Sequence, residues 1–555
     1  MHPPLCKKCT RLPIIALGSA GRAGYNEVEI LTFKEIRRRE GMMSEAVSPS
    51  VALYPLPEIY EQSRRFAVTV QGRPVPVIAF LTEKDYDYAH FSFSGKITVT
   101  IEIAEPIRDF QISPLAFGME GRVDGNRLTF QLEESRYLII KINGYKELVL
   151  AADPWEDFAP DPAGSGVCHL VNRYHADPTG QKPATQALQQ AIDEAGAAGG
   201  GIVYVPSGVF TVGNIVLKSQ VTLYLQGGAV LRATGRRQDY TSHFRKESLS
   251  MDGTWFITTE PGSENIAIRG RGTIDGNGSH MRLAEGFLNN LIVPLGTASF
   301  LIDGIIGRDA GLWALIPTRS KHVTIRNYKA FQSLVHYEND AMDINECRQV
   351  AVEHTIAISE DDPYSVKTWS KTTDISRNWP GEPQAAEEVV FDDVVAWTSC
   401  AAFKIGMGVE QPQRKVTFRN GYVYQTSRAI AVHHRFGTAP TEDIVFENID
   451  IEQVIHRRNG PYWLQLEIED AGRGTGPVRR ITLRNIRVRD AGLRPSKLRG
   501  SETPAGRQII EDITFERICM PGRNAPAATL DEMQLADRDL YAGAAVLPAV
   551  EPGKQ

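Results

Sequence analysis

A five-residue pattern that recurs down the second half of the chain constrains the fold more than any other feature. It reads Val323-Thr-Ile-Arg-Asn327, Val389-Val-Phe-Asp-Asp393, Val416-Thr-Phe-Arg-Asn420, Ile444-Val-Phe-Glu-Asn448 and Ile481-Thr-Leu-Arg-Asn485, with a weaker copy at Ile513-Thr-Phe-Glu-Arg517. From Val389 onward, the first four starts are 27, 28 and 37 residues apart. A short β-branched strand that ends in Asn or Asp, repeated every 20–30 residues with loop insertions, is the mark of a solenoid whose coils stack strand on strand. The Leu-x-x-Leu-x-Leu lines of a leucine-rich repeat are absent. The pattern predicts an all-β chain whose main domain, residues 167–520, is a right-handed parallel β-helix. Leu188, Ile192 and several alanines after Thr185 recur at helical spacing, and Gly199-Gly200-Gly201 stops the run. This helix is expected to cap the first coil, which would otherwise expose unpaired backbone.

Residues 50–153 alternate differently. Phe66–Val70, Val75–Phe80, Ile97–Ile103, Leu128–Leu132, Tyr137–Ile142 and Val149–Ala152 are separated by turn signals such as Ser94-Gly95 and Asp124-Gly125-Asn126. Short strands at that spacing predict a small antiparallel β-sandwich. It carries no chemical constellation, so packing against the main domain or shaping one end of a cleft is its expected role. Its aromatics Tyr86, Tyr88 and Phe91 suit a core or, as a lesser reading, a sugar. The Pro- and Gly-rich residues 154–166 read as a linker, and 521–555 as a tail. Residues 1–49 read as an extension, disordered or ahead of a natural start at Met42-Met43.

The chain has 555 residues and a net charge of −6, a balance that argues against a nucleic-acid binder. Six cysteines are too few and too scattered for a disulfide framework, and the lone Cys6/Cys9 pair has no second pair with which to hold zinc. No run of 18 apolar residues marks a membrane span. The start carries no convincing signal peptide, which leaves the cytoplasm as the default compartment and secretion open.

The chemistry concentrates between Tyr337 and Trp369. Asp340 and Asp343 form one group, Asp361 and Asp362 another, and Asp340 precedes Asp361 by 21 positions, about one coil. Stacked coils are about 4.8 Å apart, so the two groups are expected on neighbouring bends, with Pro363 helping to place both members of the doublet at a bend. Carboxyls so crowded would retain one proton near neutral pH. A carboxylic acid beside a carboxylate is what cleavage of a glycosidic bond requires. Strand alternation sends Met342, Ile344, Val366, Phe403, Ile405, Ile430 and Val432 inward. It leaves an outward column of Asp343, Lys367, Lys404 and His433. The expected catalytic residues are Asp340, Asp361 and Asp362. Asn339, Asp343, Lys367, Lys404 and His433 are expected around the substrate, a carbohydrate, with no cofactor and no metal. Trp313, Tyr364, Trp369, Trp379 and Trp463 are candidates for stacking on sugar rings or for packing.

These motifs resemble glycoside hydrolase family 28, the polygalacturonases, and the related dextranase family 49, within the pectin-lyase-like superfamily. Asn339-Asp340-Ala-Met-Asp343 is similar to that family's Asn-Thr-Asp-Gly-x-Asp without the Thr and Gly. Asp361-Asp362 followed by Pro-Tyr-Ser-Val-Lys367 is similar to its Asp-Asp motif. Gly199–Phe210 and Ile268–Asn277 also look like family coils. The resemblance implies an inverting hydrolase with Asp361 as general acid and with Asp340 and Asp362 holding the water. It departs at Cys400-Ala401-Ala402, where the family has Gly-His-Gly, and at Ala431-Val432-His433, where it has Arg-x-Lys. Family 49 lacks both motifs and carries an N-terminal β-sandwich, which keeps a neutral glycan such as dextran open. The alternatives are a β-helix polysaccharide lyase, which would use calcium and a basic residue, a glycan-rearranging transferase, and a non-catalytic glycan-binding solenoid.

Overall fold

The computed structural model describes residues 49–548 apart from 456–459 and 505, all within the unit Pro49–Gln555. The sequence features read in residues 1–48, including Cys6, Cys9 and Met42-Met43, lie outside the described residues.

The pentapeptide repeat makes the coil as its chemistry dictates. Its first and third residues face inward; Val416, Phe418, Ile444 and Phe446 are fully buried. Its last residue turns the corner in the left-handed region, at φ between 51° and 56° for Asn327, Asp393, Asn420, Asn448, Asn485 and Arg517. Asn and Asp tolerate that region better than other side chains. The copies stack: the rings of Phe391 and Phe418 are 4.4 Å apart and those of Phe418 and Phe446 5.3 Å, nearly parallel. At the corner Asn485 Nδ2 donates to Asn448 Oδ1 (2.9 Å), and Asn448 Nδ2 to Asn420 Oδ1 (3.2 Å). A further copy, Val350-Ala-Val-Glu-His354, escapes the sequence pattern because His354 takes the corner, at φ 49°, and binds Asp393 of the next coil (2.7 Å).

The coils build a right-handed parallel β-helix. One parallel ladder climbs from Val167–His169 to Tyr541–Leu547. A second runs through Asp343–Asn345, Tyr364–Thr368, Ala401–Val409, Arg428–Phe436, Tyr462–Ile468, Lys497–Arg499 and Asp537–Asp539. Single bridges from Ile292 to Leu315 and from Leu315 to Met342 tie this second face to the earlier strand Phe287–Val293. Helix Thr185–Ala197 buries Leu188, Ala191, Ile192 and Ala195 against the first coils. The ladders do not stop at Met520. Tyr541–Leu547 pairs with Ile510–Cys519 and Asp537–Asp539 with Lys497–Arg499, so residues 537–547 of the segment read as a tail add a last rung to each ladder.

Ahead of the helix, Ser50–Leu53, Asp87–Ser94, Leu148–Pro154, Arg136–Ile142 and Phe110–Ser113, with Val77–Ala79 paired to Asp87–Ser94, make one sheet of a sandwich. Arg73–Val75, Ala67–Val70, Ile97–Glu102, Arg127–Leu132 and Arg122–Asp124 make the other. It is not wholly antiparallel, because Leu148–Pro154 runs parallel to Asp87–Ser94. Phe91 lies in the sandwich core. Tyr86, Tyr88 and Tyr137 are buried with Phe331, Ile356, Ile358 and Trp397 of the solenoid, which removes Tyr86, Tyr88 and Phe91 as sugar platforms. Polar groups complete this seam: Lys329 of the solenoid ion-pairs with Asp153, and the Arg308 guanidinium lies 4.2 Å from the Phe80 ring centre and 3.3 Å from Asp275.

Candidate active site

Two bends carry the acids. Residues 332–342 link the strands Lys329–Phe331 and Asp343–Asn345, and residues 360–363 link Arg348–Ser359 to Tyr364–Thr368. Asn339 staples the bends together. Its Oδ1 accepts from the backbone N–H of Glu360 (3.0 Å) and Asp361 (3.2 Å), and its Nδ2 donates to the Ser333 carbonyl (2.6 Å). The Asp361 carboxylate accepts from the N–H of Glu338 and of Asp362, both at 3.1 Å.

Lys367 gathers the cluster. Its ammonium binds Asp340, lies 3.0 Å from Asp343 and 3.8 Å from Asp362, and sits 4.5 Å above the Trp313 ring. Ser365 also donates to Asp343. Lys404 donates to Asp362 Oδ2 at 2.5 Å. Asp340, Asp343, Asp362, Lys367 and Lys404 are all buried, whereas Asp361 is partly open. The two lysines expected to touch substrate are thus counter-charges inside the acid cluster.

Four carboxyls against two ammoniums leave surplus negative charge, and burial decides where it is relieved. Burial pushes Asp340 well above the usual carboxylate range; Lys367 opposes this, and Asp343, Asp361 and Asp362 reinforce it. Burial also raises Asp343. It would raise Asp362, but Lys404 and Lys367 overcome it and hold that carboxyl down at about 2. Burial disfavours the Lys367 ammonium, yet three carboxylates keep it charged and raise its pKa. Burial thus favours the protonated form of Asp340 and Asp343 and leaves Asp362 ionised.

The outward column is in fact two. Asp343, Ser365, Lys404, Ala431 and Gln465 share one register. Asn345 pairs with Lys367, while His433 pairs with Gly406 and Glu467 in the neighbouring register. All face outward, but they are not stacked in one line, and the ladder slips between Val366 and Thr368. His433 Nε2 pairs with Glu469 (3.0 Å) beside a cleft of about 470 Å³ lined also by Arg428, Tyr462, Gln465, Glu467 and Lys497. Burial lowers the His433 pKa, and the hydrogen bond with Glu469 opposes it. Among the aromatic candidates Tyr364 and Trp463 are fully buried and Trp379 nearly so, which makes all three packing residues.

Arg428, Cys400 and Glu469 were not singled out as site residues. Arg428 donates to Cys400 Sγ (3.0 Å), which with the Asp361 and Asp362 carboxylates forms a set of donor atoms within 4.8 Å of one another. Arg428 and Lys404 already engage this set. The departures at Cys400-Ala401-Ala402 and Ala431-Val432-His433 were the sequence signals near them.

The profile of a family described as "Rhamnogalacturonase A/epimerase, pectate lyase-like" matches residues 170–280. Two solved structures share the architecture. A hyperthermoactive exopolygalacturonase from Thermotoga maritima gives a TM-score of 0.52 at 18% identity, covering 65% of this chain and 93% of that one. Dex49A from Penicillium minioluteum gives 0.52 at 11% identity, covering 89% and 96%. The chain folds as a parallel β-helix, and residues 170–280 of it match a pectate-lyase-like family. Curated relatives of this β-helix protein include a probable polygalacturonase from Vitis vinifera, 26% identical over 205 residues, or 34% of this chain and 42% of the relative. An exo-poly-alpha-D-galacturonosidase from Dickeya chrysanthemi is 35% identical over 125 residues, 20% of this chain and 19% of the relative. The matched stretches span less than half the length of either relative.

Proposed function

We propose that the protein is an inverting glycoside hydrolase that cleaves O-glycosidic bonds of a polysaccharide or oligosaccharide. The observation that carries this reading is the meeting of Asp340 and Asp362 from neighbouring coils at Lys367, with Asp361 beside Asp362 and the member open to solvent. Asp361 gives a proton to the departing glycosidic oxygen as the bond to the anomeric carbon breaks. Asp340 and Asp362 hold a water on the opposite face, and the Asp362 carboxylate, kept ionised by Lys404 and Lys367, takes its proton as it attacks. The close approach of Asp361 and Asp362 would by spacing alone suit a retaining enzyme. Asp362 is nevertheless a poor nucleophile: Lys404 occupies one oxygen, and the Ala401 N–H approaches the other at 3.4 Å. Holding water suits it better.

The names of the curated relatives make an α-linked polygalacturonan the first substrate to test. A neutral glycan such as dextran is the second reading. It is favoured by Ala431 and His433 at the Arg-x-Lys positions and by the cleft beside them, where Glu467 already takes Lys497 (2.9 Å) and Glu469 takes His433. A uronate there would meet an ammonium already committed to a carboxylate and an imidazole whose charged form burial disfavours. Reducing-sugar release from polygalacturonate and dextran tests the reading. Asp361→Asn should lose about 10²–10⁴-fold in kcat while keeping the wild-type melting temperature. Undiminished release by that variant would overturn the assignment.

A further inference from the structure

The solenoid makes its coils without help, yet the bend that carries Asp340 has no ladder of its own between Phe331 and Met342. At its root the solenoid holds Gln332, whose N–H donates to the Ile358 carbonyl (2.9 Å) and whose amide bridges Ala310 and Gly307, and the sandwich holds the residues that follow. Asp85 Oδ1 accepts from the Leu334 N–H (2.7 Å) and from the Ser333 hydroxyl (3.1 Å). Asp85 Oδ2 is fixed in turn by the N–H (2.9 Å) and hydroxyl (2.8 Å) of Thr82. Beside it, the Tyr86 hydroxyl donates to the Gln332 carbonyl (3.1 Å). The Ser333 carbonyl is the acceptor that orients Asn339, and Asn339 holds the N–H groups of Glu360 and Asp361. The bend then closes on the acid itself, as the Glu338 N–H donates to the Asp361 carboxylate. Asp85, Ser333 and Asn339 are each at most 3% exposed, so water does not compete for these bonds.

We propose that Asp85 is a positioning residue for Asp361, through Ser333 and Asn339, and that this is what the sandwich contributes to the site. The inference rests on the hydrolase reading of the acid cluster. Elsewhere the seam grips strands that are already fixed by their ladders, as Lys329 and Arg308 do. Asp85 instead grips a bend whose side-chain and backbone donors end at the acid, and an ångström of slack there is enough to misplace a proton donor.

The test uses the full chain with Asp85→Ala. Hydrogen exchange followed by mass spectrometry should quicken in 332–341 and at 360–361, while the strands Ala386–Thr398 and Gln413–Thr426 exchange as in wild type. On polygalacturonate or dextran, whichever the wild type cleaves, kcat should fall on the order of 100-fold with KM little changed. Asp85→Asn keeps an oxygen toward Leu334 and should recover most of the loss. If Asp85→Ala does not fold, Tyr86→Phe loosens the same root and should shift exchange and kcat in the same direction, more weakly. Unchanged exchange at 360–361, a uniform rise across the chain, or an unchanged kcat in an active enzyme would overturn the proposal. A wild type that cleaves neither glycan refutes the hydrolase reading instead, and the exchange result still decides the relay.

Discussion

Asp362 and Asp340 lie around one ammonium and respond to burial in opposite ways. Lys404 is the difference, because it binds Asp362 at 2.5 Å and Asp340 has no second cation among the described residues. Asp362 is held at about 2 against an ordinary value of 3.8. A depressed carboxyl stabilises the folded state above its unfolded pKa and loses that contribution as pH falls through the folded value. The contribution is therefore full above about pH 4 and disappears toward pH 2. Lys404→Met should move acid unfolding, followed by circular dichroism, to higher pH. An unmoved acid midpoint would mean that Lys404 does not set the charge of Asp362. These residues were legible in the sequence because alternation and coil length place carboxylates and lysines outward on adjacent rungs. What alternation missed was register: Lys367 and Lys404 belong to different columns because Lys404 pairs with Ser365, two residues before Lys367. Arg428 and Glu469 were illegible because only the folded coils bring them beside Cys400 and His433.

At the scale of the coil, the corner is the most demanding position. Asn448 sits at φ 55° and links Asn420 to Asn485. Asn448→Ala should cost about 1–2 kcal/mol in denaturant unfolding, from left-handed strain and a broken amide ladder, and Asn448→Gly should cost less. Equal costs for the two would show that backbone strain is not the term that matters. The repeat was readable because buried apolar residues and corner amides recur together. It faded where other residues do the same work, as His354 does at one corner. The last coil was missed because Tyr541–Leu547, Tyr-Ala-Gly-Ala-Ala-Val-Leu, has few β-branched residues, and its place comes from pairing with Ile510–Cys519 rather than from propensity.

Across the whole chain, the sandwich and the solenoid share a buried seam whose partners lie hundreds of residues apart, such as Tyr86 with Gln332 and Ser113 with Glu452. Sequence reading gave the two modules but not this contact, since nothing local in either segment names its partner. Glu452 makes the seam pH-sensitive. It accepts from the Ser113 hydroxyl (2.6 Å) and the Leu115 N–H (2.5 Å), yet burial pushes its pKa up to about 7. A raised carboxyl binds its proton more tightly when folded, so stability falls as pH rises from about 4.5 to 7. Glu452→Gln should flatten the melting temperature across that window; an unchanged slope would remove Glu452 as its cause. The central claim, that Asp340, Asp361 and Asp362 cleave a glycosidic bond with inversion, is tested most directly by proton NMR of the first reducing ends released from an α-linked galacturonide or glucan. The account predicts the β anomer at early times from the wild type and none from Asp361→Asn. An initial α anomer, or equal release by the variant, would contradict it.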